Sequence, residues 1–86
     1  MKTNSSIIRI GDEVRDALAS HRAVVALEST IFSHLGLPSP ANAQALTNCI
    51  AAIREAGAVP AITAIIDGVA RVGINESEHE RILGPA

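Results

Sequence analysis

Two kinds of apolar pattern alternate along the chain: short unbroken runs, and longer stretches in which apolar residues recur every three or four positions. Unbroken runs bounded by turn residues predict strands buried on both faces, whereas the spaced pattern predicts helices with one apolar side. Ile7-Ile8-Arg9-Ile10 reads as a short extended opening segment. Asp12 follows as a candidate N-cap, with Val14, Ala17 and Leu18 on one side of a helix that should stop near Ser20-His21. Val24-Val25-Ala26-Leu27 is the first unbroken run and predicts a buried strand over residues 23–28, ending abruptly at Glu28-Ser29-Thr30. The stretch from Ile31 to Pro40 contains Gly36, Pro38 and Pro40, which predicts a structured loop.

The longest helix is predicted over residues 42–56. There Leu46, Cys49, Ile50 and Ile53 fall at i, i+3, i+4 and i+7, and Gln44, Thr47, Asn48, Arg54 and Glu55 gather on the other side. Gly57 suits the position just past the helix end. A second buried strand is predicted over 60–66, with Pro60 at its start, where a missing N–H is tolerated. Asp67-Gly68 is a two-residue hairpin turn, leading into a strand near 69–73. Asn75 or Ser77 caps a last short helix through Leu83. The order predicts an α/β fold of one domain with at least one right-handed crossover.

Composition narrows the class of partner. Phe32 is the only aromatic residue, so the core must be built from Ala, Val, Ile and Leu. The net charge is −2 and the Lys and Arg residues stand singly, which excludes the basic footprint of a nucleic-acid binder. No apolar run approaches the ~20 residues of a membrane span, so no membrane partner is expected. A lone Cys49 forms no internal disulfide and fits a reducing, cytoplasmic setting; on the apolar side of the long helix it reads as a small hydrophobe. From Ser29 to Ile53 there is no Asp, Glu, Lys or Arg. A free-standing small domain solvates its outside with charge of both signs, so this surface is expected to be covered by more chain or another subunit.

Glu28 is the candidate for chemistry. It ends an apolar strand, where α/β proteins place their ligands, and desolvation beside an uncharged loop would raise its pKa and suit it to general acid work. The same position also suits an exposed loop residue or an ion-pair partner. Ser29 and Thr30 can donate to an anion or simply satisfy the turn, and His34 can touch a substrate or be a hydrogen-bonded loop residue. His21, His34, His79 and Cys49 are not at ligand spacing, so no metal site is assigned in this chain.

The string Val24-Val25-Ala26-Leu27-Glu28-Ser29-Thr30-Ile31 resembles a motif of the pseudouridine-5′-phosphate glycosidase family, also called indigoidine synthase A-like. The resemblance continues through Ser33-His34, Gly36-Leu37-Pro38, Pro40 and Asn42, then Arg54 to Ala61, Ile65 to Gly68 and Arg71-Val72-Gly73. It implies reversible cleavage of the C–C glycosidic bond of pseudouridine 5′-phosphate to uracil and ribose 5-phosphate. It further implies a Schiff-base lysine, a divalent metal (typically Mn²⁺), Glu28 as proton donor, an α/β/α layered fold and a homo-oligomer, commonly a trimer. No residue is assigned to substrate binding; from their place in the loop, Thr30 and His34 are the weak candidates. Two departures stand out: Leu35 is one residue more than the pattern between His34 and Gly36, and the only lysine is Lys2, in the polar N-terminal tail. The chain is therefore expected to be the N-terminal portion of a single larger glycosidase domain, inactive by itself. The alternative is a non-catalytic remnant or interaction module of the same family.

Overall fold

A computed structural model describes residues 7–84. The elements are β1 (Ile8–Ile10), α1 (Asp12–Ala19), β2 (Val24–Glu28), α2 (Ala41–Glu55), β3 (Val59–Ile66), β4 (Val69–Val72) and α3 (Glu76–Leu83), with a single 3-10 turn over Thr30–Phe32. The strands form one sheet in the order β1-β4-β3-β2. β2 and β3 run parallel and are joined through α2; β3 and β4 form an antiparallel hairpin; β1 adds parallel to β4. The pairing of β1 with β4 joins segments some sixty residues apart and carries no local sequence signal.

Alternation along β3 sends successive side chains to opposite faces. Ile62 and Ile66 pack with Phe32, Leu46 and Ile74 in one cluster, flanked by Ile50 from α2 and by Ile82 and Leu83 from α3. Val59 and Ala61 pack on the other face against Val14 and Ala17 of α1. The result is three layers, α1 over one face and α2 with α3 over the other, as the α/β/α expectation requires. A bidentate ion pair from Arg54 to Glu13 (2.8 and 3.0 Å) ties α2 to α1 across the layers.

Local signals were obeyed where the chemistry is local. α2 ends in a Schellman arrangement, Ala58 N–H donating to Ile53 O and Gly57 N–H to Arg54 O. Asp67 (φ 51°) and Gly68 (φ 77°) are both left-handed, the type I′ geometry that suits a two-residue hairpin. Asn75, rather than Ser77, caps α3 and forms a capping box with Glu78. Arg71 on β4 adds a bidentate pair to the same Glu78 (2.6 and 2.8 Å), fixing α3 against the sheet.

Three expectations need correction. Gly11, not Asp12, is the N-cap of α1, and it makes no side-chain cap bond; Asp12 is the first helical residue. Leu18 lies on the flank of the α1 stripe away from Ala17 and stays 53% exposed. The larger correction concerns the two strands expected to be buried: β3 leaves Ile65 73% exposed, and β2 is not buried on both faces. β2 is an edge strand, α1 reaches only its Val24 end, and Val25 is 40% exposed.

Candidate active site

α1 covers only half of its face of the sheet. Beyond Val59 and Ala61, the same face continues through Thr63 and Ile65 of β3, Ala70 of β4, Ile8 of β1 and Glu28 of β2, aligned by register. Nothing among the described residues lies over this half: Ile65 is 73% exposed and Ile8 47%. A shallow depression of about 450 Å³ occupies it, lined by Glu28, Ser29, Thr30, Thr63, Ile65 and Ala70 among others. It opens at the C-terminal ends of the parallel pair β2 and β3, the end at which open α/β sheets bind ligands.

Glu28 is the last residue of β2 and stands at the rim of that depression. Its Oε2 accepts from the Thr30 amide (2.8 Å) and from the Thr30 hydroxyl (2.6 Å). The Thr30 hydroxyl, followed by the Thr30 and Ser29 amides, holds the carboxyl below the usual glutamate range. The desolvation expected to raise it is outweighed because the group is exposed. In this chain Glu28 is an oriented carboxylate, ionised at neutral pH.

Thr30 therefore stands beside Glu28 at the depression, and it satisfies the carboxylate as much as the turn. His34 lies on the exposed side of the loop, and the depression is not lined by it. Leu35 sits at the tip of a turn closed by Gly36 N–H to Ser33 O (3.0 Å) and is 73% exposed. Leu37 N–H then returns to Ile31 O (2.9 Å). A Cβ at Gly36 would run into the Ile31 carbonyl, so this return needs glycine. Cys49 is half-buried against the cluster under α2, as its apolar position suggested.

Asn42 is a residue whose structural weight the hydrophobic pattern hides. It is 2% exposed, and its amide uses three bonds: Nδ2 to Phe32 O (3.0 Å) and to Leu83 O (3.0 Å), and Oδ1 from Ala43 N–H (2.8 Å). A polar residue in the first turn of a helix is unremarkable in sequence; only its place in the motif marked it.

Residues 13–86 match the family model described as indigoidine synthase A like protein. This chain belongs to that family. Among its relatives, the pseudouridine-5′-phosphate glycosidase of Escherichia coli K12 is 49% identical over 84 residues, covering 98% of this chain and 26% of that protein. The pseudouridine-5′-phosphate glycosidase of Arabidopsis thaliana is 48% identical over 77 residues, covering 90% and 23% respectively. The chain thus spans about a quarter of the length of the curated relatives it matches. A solved relative is the prealnumycin C-glycosynthase AlnA in complex with ribulose 5-phosphate: TM-score 0.75, 34% identity, 93% of this chain and 25% of that one. The solved relative shares this arrangement of strands and helices.

Proposed function

We propose that this chain supplies the proton-handling carboxylate and part of the binding wall of a site that cleaves, and in reverse forms, the C–C glycosidic bond of pseudouridine 5′-phosphate. The observation that carries this reading is Glu28, gripped by Thr30 at the strand end beside an uncovered depression. The names of the curated relatives supply the substrate class.

Cleavage consumes one water and gives uracil and ribose 5-phosphate. The electron pair of the broken bond stays on the base carbon, which must receive a proton, while the sugar carbon takes oxygen from water. Glu28 is placed to deliver that proton, and in the synthetic direction to remove it. For delivery the carboxyl must be protonated when the bond breaks. Covering the open half-face with further polypeptide would desolvate Glu28 and push its pKa upward against the grip of Thr30. In this reading the uncovered face is what the rest of the family fold packs against.

The metal implied by the resemblance does not fit the residues present. Among the described residues no three His, Cys, Asp or Glu side chains gather as ligands, so no step is assigned to a metal here. The sole lysine, Lys2, lies outside the described residues, and no iminium step is assigned to it. We accordingly propose that the 86-residue chain has no glycosidase activity by itself.

The test is a graft. The matched segment of the Escherichia coli relative is replaced with this chain, and uracil release from pseudouridine 5′-phosphate is followed for the graft and for this chain alone. The reading expects release by the graft and none by the chain alone. A well-folded but inactive graft would favour the second reading, a non-catalytic interaction module, for which the exposed apolar half-face speaks.

A further inference from the structure

The loop that carries Thr30 is closed on itself by short-range bonds, among them Leu37 N–H to Ile31 O and Ser33 Oγ to Thr30 O. The 3-10 turn contributes Phe32 N–H to Ser29 O and Ser33 N–H to Thr30 O, and the Phe32 ring inserts beside Leu46. Besides the two Thr30 contacts to Glu28, what joins this turn to other elements by hydrogen bonds among the described residues is Asn42. One proton of its Nδ2 goes to the Phe32 carbonyl, at the end of the turn; the other goes to the Leu83 carbonyl, at the last residue of α3. Its Oδ1 takes the Ala43 amide, one of the donors left without a partner at the start of α2, where Pro40 offers no side-chain cap. These three bonds leave only one orientation of the amide, because exchanging its oxygen and nitrogen would set acceptor against acceptor at both carbonyls. Three chain segments therefore meet on one buried side chain.

We infer that Asn42 is a positioning residue for the Glu28 site: by anchoring the Phe32 carbonyl it holds the Thr30–Phe32 turn in the register that presents the Thr30 amide and hydroxyl to Glu28. The inference rests on the reading of Glu28 as the working carboxylate, and it concerns the geometry that carboxylate is given. Packing of the Phe32 ring in the core holds the turn at its depth, and the Leu37 N–H to Ile31 O bond closes the loop behind it. The hydrogen bond to the Phe32 carbonyl fixes the rotation about the chain, which decides where Thr30 N–H and Oγ1 point.

The experiment is NMR on the full 86-residue chain, with Glu28 titrated through its side-chain carboxyl carbon. In the unsubstituted chain the Asn42 Nδ2 protons are expected to show through-hydrogen-bond couplings to the carbonyl carbons of Phe32 and Leu83. In Asn42→Ala and Asn42→Ser, with β3 and β4 signals unchanged, the Glu28 midpoint should rise toward the ordinary glutamate value of about 4.3. Thr30→Val, which removes the hydroxyl contact directly, sets the scale for that rise. Folded Asn42 variants whose Glu28 midpoint equals that of the unsubstituted chain would overturn the inference. So would absence of the coupling to Phe32 in the unsubstituted chain, however the variants fold. Neither readout involves turnover, so a failure of the Glu28 catalytic reading leaves both results standing.

Discussion

The two faces of the sheet differ in how finished they are. Under α2 and α3, the side chains of Phe32, Leu46, Ile62, Ile66 and Ile74 close on one another. Across the sheet, α1 seals Val59 and Ala61 and then stops, leaving Ile65, Ile8 and the outer edge of β2 in solvent. The same alternating strand, β3, supplies both faces. The difference therefore lies in what is laid over the strand, not in the strand itself. The closed face stabilises the fold, with each fully buried Ile, Leu or Phe contributing about 1.5–3 kcal/mol. The open face carries Glu28 and contributes little to stability. A carboxylate, an apolar sheet surface and an unpaired strand edge in one place mark a surface made to be covered.

The sharpest way to break this comparison is to cut matched side chains on the two faces. Ile62→Ala, on the closed face, is expected to cost about 2–5 kcal/mol in denaturant unfolding. Loss of less than about 1 kcal/mol would mean that the closed face is not the folding core. Next in size is Asn42→Ala, which strands the Phe32 and Leu83 carbonyls in a buried setting; about 2–3 kcal/mol is expected by the same measurement.

A smaller effect follows from pH. Glu13, Glu28, Asp67 and Glu78 are each held below their ordinary range, chiefly by hydrogen bonds from Arg54, Thr30, Arg81 and Arg71 respectively. A carboxyl whose folded pKa lies below its unfolded one stabilises the fold above the unfolded value of about 4. That contribution is lost as pH falls through the folded values. Stability should thus be flat near neutrality and decline gently below pH ~4, gently because most of these pairs are exposed to solvent screening; thermal melts across that range check it. The smallest effect on stability is expected from Ile65→Lys on the open face, within about 0.5 kcal/mol. The same change should reduce self-association in sedimentation, since it places charge on the exposed patch.

How much of this was legible in the sequence follows the range of the interaction. The long helix, the Asp67-Gly68 hairpin, the Gly57 stop and the strand at 59–66 rest on neighbours a few residues away, and each appears within a residue of expectation. The exposure of β2 was not legible, because Val24 to Leu27 reads alike whether or not a further strand lies beside it. The position of Glu28 at a strand end could be read directly. The direction of its pKa could not, since it depends on Thr30 turning back onto the carboxylate, a matter of loop geometry. Asn42 escaped for the same reason: its partners Phe32 and Leu83 meet only after the layers assemble.

The central claim is that the open face presents Glu28 as the proton-handling group of a C–C glycosidic site. It is tested most directly by Glu28→Gln in the grafted full-length relative, measuring kcat for uracil release from pseudouridine 5′-phosphate. The account predicts a loss of about 10²–10⁴-fold, the usual worth of a positioned general acid or base, with KM little changed. A Gln variant that releases uracil within a few-fold of its Glu28 parent would contradict it.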